Sequence, residues 1–560
     1  MSAPDGTASP QVLVAGAGPV GLALAHELAR HGVRVRVVDA AAGPATTSRA
    51  LATHARSLET YDQMGVAGEL LSRGQRVEHF TLHQNGRRLV RFDTDYSHLP
   101  TRYPFTLMVD QKVTEEVLRT AAARHGVRVE WGVRLEEFSD DGGSVTARLR
   151  HPSGIVEEVS ADWLVGCDGG HSTVRKQLGL RLAGDSSETW LIADAVVDCD
   201  LPRDSIHWLR TPEGTVMMVP FPDPGKWRLL DTADVSHESD EQVARRFAAK
   251  IRVGTGKDVR VEDPSWVSVF TIQQRMIPVM RAGRCLVAGD AAHVHSPASG
   301  QGLNTGVQDA VNLAWKLAGV LLGTADESVL DSYSAERVPV GASLLKSTRM
   351  ATVLVQLRNR YVAAGLRAMF TVVKAVRPLK SRIQRKIMGG MSALDLSYAG
   401  SPATLAAEDA DGPGSTGAGP AVGSRVVRVT GEDFARSYGW QRLVDEVRTP
   451  GWLLLALEPG ERDARALATI AAEHEGWVRV RTVRGGVPAG PAGPGVLPDP
   501  DGRLAAGLGG GPGSWLLVRP DGYVAARGTF AEGRRPEGAL ADLGVRPARA
   551  TAGSRARRAA

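Results

Sequence analysis

Two glycine-punctuated junctions between an apolar strand and a helix constrain this chain more than any other feature. The first is VLVAGAGPVG, in which Gly16, Gly18 and Gly21 follow the spacing G-x-G-x-x-G, with Pro19 and Val20 between the last two. The second lies far downstream in Arg284–Leu317, RCLVAGDAAHVHSPASGQGLNTGVQDAVNLAWKL. A strand that enters a helix through such glycines turns backbone N–H groups and a positive dipole end toward phosphate, so the first junction predicts a dinucleotide anchor. Gly16 there permits the tight turn, Gly18 lets the backbone approach a pyrophosphate, and Gly21 lets the helix pack closely. Val33–Val38 (VRVRVV) reads as the next strand of a βαβ unit. It ends on Asp39, placed to accept from ribose hydroxyls and to repel a 2′-phosphate.

A β-rich stretch interrupts this pattern twice. Residues 1–75, 111–184 and 276–400 read as one discontinuous nucleotide-binding domain, and 76–110 with 185–275 as a β-rich substrate domain. Asn85-Gly86 predicts a hairpin turn, because that pair supplies two positive-φ positions, and a helix follows over Lys112–His125. Residues 401–424 form a Pro/Gly-rich linker, 425–545 a compact α/β unit, and 546–560 a basic tail. A chain of 560 residues holds two to four such cores. With 67 basic and 62 acidic residues, the charge is too balanced to argue for a nucleic-acid partner. Cys167, Cys199 and Cys285 form neither a CxxC pair nor a disulfide framework, which predicts a reduced, cytoplasmic enzyme. No apolar run reaches the roughly 18 residues of a membrane span. Residues 350–376 come closest, but Arg358, Arg360, Arg367 and Lys374 interrupt them, so they read as an amphipathic packed helix.

Three further motifs acquire meaning together. CDGGHSTVRK (Cys167–Lys176) follows the apolar strand DWLVG and alone would be no more than a turn at Asp168. The second junction carries Gly289-Asp290-Ala291-Ala292-His293, then Pro297-x-x-Gly300-Gln301-Gly302-Leu303-Asn304. Ser48-Arg49-Ala50, Gln111 and DSYSAERVPVG (Asp331–Gly341) complete the set. In this order the motifs resemble the class A FAD-dependent aromatic monooxygenases, built like para-hydroxybenzoate hydroxylase, and among them the bacterial aromatic polyketide hydroxylases. The resemblance covers residues 11–400 and extends more weakly into the C-terminal unit. It implies an α/β fold with a Rossmann-like FAD-binding domain, an interleaved β-rich substrate domain and a C-terminal thioredoxin-like domain. That last domain contains no cysteine, so a structural or dimer-contact role is expected in place of dithiol chemistry, and a homodimer is left open.

The same resemblance implies that Gly16, Gly18, Pro19, Val20, Gly21, Asp39, Arg49, Gln111, Asp168, Asp290, Gly302, Leu303 and Asn304 hold FAD. Arg49 would lie near the flavin or the pyrophosphate, and Pro297 on the active-site side of the ring, making these two the candidate catalytic residues. Asp39 stands where the family usually has Glu, one methylene longer. The implied chemistry is reduction of FAD by NADPH or NADH, addition of O2 at the flavin C4a, and transfer of oxygen from the resulting hydroperoxide to an electron-rich aromatic polyketide. The helix beginning near Gly300–Asn304 would stabilise the reduced flavin anion. No protein-borne nucleophile is evident, as expected where a cofactor carries the hard step. A phenolic substrate would activate its own ring on ionising, so a separate base is dispensable on this reading. Trp208–Leu230 alternates apolar and polar residues in two strands about a turn, and Trp208, Met218, Pro220 and Phe221 are the candidate floor of an apolar substrate pocket; plain sheet packing is the alternative for each. His293 and His295 lie two apart without a third ligand at zinc-site spacing, so no metal is expected. Baeyer–Villiger or ring-opening oxygenation would share the chemistry and differ in substrate pose. A flavin halogenase would need a WxWxIP segment, which is absent, and a non-catalytic flavin- or substrate-binding protein would show no turnover.

Overall fold

The computed structural model describes residues 9–93, 99–237, 239–295, 300–356, 392–406, 419–490 and 493–547. Its nucleotide-binding sheet runs in the order Arg281–Ala282, Cys285–Val287, Trp163–Gly166, Val12–Ala15, Val35–Asp39 and Val129–Trp131. Only the first pair is antiparallel. Val12–Ala15 is buried at all four positions, as a parallel strand covered on both faces must be, which explains its unbroken apolar run. The helix Pro19–Arg30 starts on a proline, whose missing N–H costs nothing in a first turn. It packs against the helices Gln111–Arg124 and Gly302–Leu321, so both glycine junctions open onto one side of the sheet.

The second sheet gathers strands from two stretches of chain. His79–Gln84 and Arg87–Asp93 pair as a hairpin, and the first of them runs parallel to Ser205–Thr211. Gly214–Pro220, Lys226–Asp231, Ala183–Asp198, Trp266–Met276 and His293–Val294 continue the sheet. The turn has Asn85 at φ 47° and Gly86 at φ 79°, the two left-handed positions a tight hairpin needs. Thr106–Met108 stays outside this sheet and pairs instead with Ala52–Thr53 and Gln75–Val77. The helix Asp240–Thr255 covers one face of the large sheet through Val243, Phe247 and Ile251. The opposite face carries Trp190, Ile192, Met217, Val219 and Leu230.

The C-terminal sheet has the order Val496–Asp499, Val478–Gly485, Trp452–Leu457, Ser514–Val518 and Val524–Thr529. The first three strands are parallel, the last two antiparallel, and the helix Glu461–Glu473 makes the crossover: a thioredoxin-like connectivity. Trp452, Trp477 and Trp515 belong to the same buried cluster as Val12 and Leu313 of the nucleotide-binding domain. The described ends of the 401–424 stretch are hydrogen-bonded into the body, Leu405 N to Ala525 O and Gly423 N to Val524 O at 2.8 Å each. Arg546, at the start of the basic tail, is likewise anchored through its N–H to Thr324 O at 2.8 Å. Pro297, residues 407–418, most of the 350–376 helix and residues 548–560 lie outside the described residues. No helix among the described residues is long and apolar enough to cross a membrane.

Candidate active site

A cavity of about 630 Å³ runs from the first glycine loop to the inner face of the large sheet. Gly16, Gly18, Pro19, Val20 and Asp39 of the first junction line it, together with Arg49, Gln111, Asp168, Asp290, Gly302 and Leu303, and with Trp208, Met217 and Val219 of the large sheet. The glycines divide by role. Gly16 has φ 106°, and a Cβ there would stand 2.4 Å from Cys167 O. A Cβ on Gly21 would stand 1.9 Å from Gly16 O, so both glycines serve close backbone packing. Gly18 and Gly302 have nothing within 4 Å of the Cβ position, and both border the cavity. Asp39 is tied to the loop itself: its Oδ2 accepts from Ala17 N at 2.7 Å and its Oδ1 from Ala41 N at 2.8 Å.

The Ser48–Ala50 loop is clamped from two domains. Gln111 donates its backbone N–H to Ser48 Oγ at 2.9 Å and accepts from Ala50 N at 3.0 Å. From the large sheet, buried Arg228 donates to Ser48 O at 2.6 Å and Arg49 O at 2.8 Å, while its guanidinium pairs with Asp194 through two 2.8 Å bonds. Sequence reading missed Arg228. Its one signal was an arginine inside the apolar strand Lys226–Asp231, which a buried acid has to answer. Asp168 Oδ2 caps the turn by accepting from Thr173 N at 2.6 Å and Val174 N at 3.2 Å. Its Oδ1 is buried with no partner among the described residues. Arg175 joins the two aspartate motifs by donating to Gly170 O at 2.9 Å and Ala291 O at 3.2 Å. Asp290 lines the cavity with its side chain exposed to it, and desolvation by the surrounding protein pushes its carboxyl up against the pull of His293 and Arg49.

Some predicted residues fall elsewhere. Asn304 does not border the cavity; its side chain accepts from His54 N at 2.9 Å and donates to Ala52 O and Gly300 O at 2.9 and 2.7 Å, closing the loop beside it. Of the four proposed floor residues, only Trp208 reaches the cavity. Trp208 pairs with Met217 and His207 with Met218, so strand alternation turns Met218 onto the helix Asp240–Thr255. Met217 and Val219 take the cavity side instead, with Phe80, Ile206 and Leu230. Pro220 and Phe221 are buried in the sheet off the cavity wall, Phe221 beneath the Arg228 guanidinium. His293 and His295 bond to each other at 2.8 Å, and His293 bonds to Asp309 at 2.6 Å.

An elongated dinucleotide fits these features: open backbone at Gly18 and Gly302, a buried carboxylate oxygen on Asp168 with no partner among the described residues, and a carboxyl on Asp290 that faces the cavity. Residues 9–348 match the FAD-binding-domain family. The chain is 54% identical over 524 residues to 6-methylpretetramide 4-monooxygenase of Streptomyces rimosus, covering 93% of this chain and 91% of that one. The chain belongs to the FAD-dependent aromatic monooxygenases. This monooxygenase also superposes on the anhydrotetracycline hydroxylase from Streptomyces rimosus with a TM-score of 0.72 at 31% identity, over 96% of this chain and 100% of the other. An aklavinone-11 hydroxylase in complex with FAD and aklavinone gives the same TM-score at 26% identity, over 97% and 99% of the two chains.

Proposed function

We propose that this FAD-dependent monooxygenase hydroxylates a polycyclic phenolic polyketide, with NADPH or NADH as reductant and O2 as oxygen source. The observation that carries the reading is one cavity with a dinucleotide loop at one end and an apolar wall of Phe80, Ile206, Trp208, Met217, Val219 and Leu230 at the other. Such a wall suits a flat fused-ring substrate, since it offers area and few polar partners. The 54% identity to 6-methylpretetramide 4-monooxygenase favours a substrate of the 6-methylpretetramide class.

When bound, FAD supplies the activated oxygen for the aromatic ring. Gly16, Gly18, Pro19, Val20 and Asp39 would hold its adenosine and pyrophosphate side. Arg49, Gln111, Asp168 and Asp290 would hold its remainder, and the helix start at Gly302–Leu303 would offer N–H groups to the anion formed on its reduction. The Arg228–Asp194 pair keeps Arg49 in place by gripping the loop carbonyls. Pro297 enters this scheme on the family pattern alone, as the expected active-site proline. Cys167 and Cys285 are buried free thiols, which suits a reducing cytoplasm.

The test is turnover of the FAD-loaded protein with polycyclic phenols, 6-methylpretetramide among them, under isotopically labelled O2. NAD(P)H oxidation should rise on adding substrate, and the product should carry one labelled oxygen. A substrate that binds without stimulating NAD(P)H oxidation would leave a binding protein in place of an enzyme.

A further inference from the structure

The cavity face of the large sheet is more ordered than an apolar wall needs to be. Ile192 stands directly opposite Leu230, Leu230 opposite Met217, and Met217 opposite Trp208, on four successive strands. Residues opposite one another across a ladder share a face, so these side chains form one row, and every member of it borders the cavity. Neighbouring strands lie about 4.8 Å apart, which makes the row about 14 Å long from Ile192 to Trp208. A lone phenol ring covers about one interval between strands, whereas a linearly fused polycycle laid across the strands covers the whole row.

The two ends of the row differ. Two residues along the same strands from Ile192 and Leu230 stand Asp194 and Arg228. Arg228 donates to Ser48 O and Arg49 O, so this end adjoins the loop assigned to FAD. Of the described strand residues of this sheet that border the cavity, Arg228 alone is charged, so a phenol hydroxyl is drawn to that end. At the other end the row would continue from Trp208 to its partner Leu82, but Leu82 does not border the cavity. Trp208 is therefore the last member, remote from the loop. Burial then decides which member reads the ligand. Ile192, Met217 and Leu230 are only 6%, 7% and 2% exposed, so covering them removes little further protein surface from water. Trp208 is only partly buried, and an indole offers a broad face for stacking on an aromatic ring.

We propose that Trp208 is a specificity-determining residue that reads the number of fused rings in the substrate. The inference rests on the reading that the cavity takes a polycyclic phenol, and adds how that phenol lies: its long axis runs across the strands, and its far ring rests on the Trp208 indole. A short phenol seated at the Arg228 end stops before Trp208 and gains nothing from it. A four-ring phenol seated at the same end reaches the indole and stacks on it.

The experiment uses full-length, FAD-loaded protein without reductant, so that no turnover occurs. Dissociation constants are measured for 2-naphthol, 2-hydroxyanthraquinone and 6,11-dihydroxynaphthacene-5,12-dione, linear phenols of two, three and four rings. In the wild type, affinity should rise with each added ring. Trp208→Ala should weaken the four-ring ligand about tenfold and 2-naphthol less than about twofold, so that the gain from the last ring is lost. Trp208→Phe should keep the wild-type order. Trp208→Leu keeps the strand filled should the alanine variant fold poorly, and it should lose the gain as well. Equal weakening of all three ligands would show that Trp208 only supports the wall and would overturn the proposal. Unchanged four-ring affinity in Trp208→Ala or Trp208→Leu would overturn it too, while leaving the cavity as the substrate site. Failure of the wild type to bind any of the three would overturn the reading of the cavity and the ring count with it.

Discussion

Gly16 and Gly18 lie two residues apart in one motif and answer opposite demands. Gly16 is a packing glycine: its φ of 106° and the carbonyl 2.4 Å from any added Cβ leave no room for a methyl group. Overpacking a rigid backbone contact costs roughly 1–3 kcal/mol, and a left-handed conformation adds roughly 1–2 kcal/mol for a residue with a side chain. Gly16→Ala should therefore lower the melting temperature of the protein even without FAD. Gly18 is a ligand glycine, with open space at its Cβ position. Gly18→Ala should melt like the wild type without FAD yet bind FAD about tenfold more weakly, about 1.4 kcal/mol. Thermal melting of the FAD-free protein and flavin fluorescence titration separate the two, and identical behaviour would refute the division. Asp39 teaches the same lesson of double duty. Its position at the strand end was legible, whereas its bonds to Ala17 and Ala41, which make the acid a brace for the loop, arise only once the turn has closed.

Among the elements, the strand Gly214–Pro220 shows where periodicity stops informing. Alternation gives two faces but labels neither when both are apolar. Here one face meets the helix Asp240–Thr255 and the other meets the cavity, so Met217 and Met218 look equivalent in sequence. Their consequences should differ. Met218→Ala empties a sealed core site and should cost about 2–5 kcal/mol of stability with KM unchanged. Met217→Ala should raise KM for a polycyclic substrate severalfold at smaller cost in stability, as read by steady-state kinetics beside denaturant melts. Were Met218→Ala to move KM and Met217→Ala not, the cavity would lie on the other side of the sheet. The glycine junctions and the Asn85-Gly86 hairpin were legible because their geometry is imposed within a few residues. Arg228 was not, because its partners Asp194, Ser48 and Arg49 come from separate segments of the chain. The C-terminal sheet could be read as a unit of its own, but nothing local announced which side of it would be buried.

At the scale of the whole molecule, the C-terminal unit is wired into the flavin domain by buried charge. Arg519 donates to Glu336 at 2.6 and 3.0 Å and to Asp521 at 3.0 and 2.5 Å, and Lys316 and Asn312 of the helix Gly302–Leu321 reach the same Glu336 at 2.8 and 2.6 Å. Removing one partner strands buried charges, so Arg519→Met should cost about 3–5 kcal/mol. Flavin release and loss of secondary structure should coincide in one transition, because that helix also carries Gly302. Two separated transitions would show an independent appendage. Acid should reveal a second global property. Burial, with His207 beside it, holds the His83 imidazole at about 4, while its unfolded value is 6.5. Between those values the unfolded chain binds the extra proton, so stability falls as the pH is lowered from 6.5 to 4. His207 is shifted in the same direction, mainly by burial, and adds to this limb. Below it, Asp309 and Glu27, both held at about 2 against ordinary values of 3.8 and 4.5, lose their contribution as the pH falls from about 4.5 to 2. The two sets have one sign, so melting temperature should decline continuously from pH 6.5 downward. His83→Phe should flatten the upper limb by on the order of 2–3 kcal/mol, from about 1.36 kcal/mol per pH unit, and leave the lower limb intact. An unchanged upper limb would mean that His83 ionises as readily in the folded protein as in the unfolded chain, with the sheet open enough to solvate it.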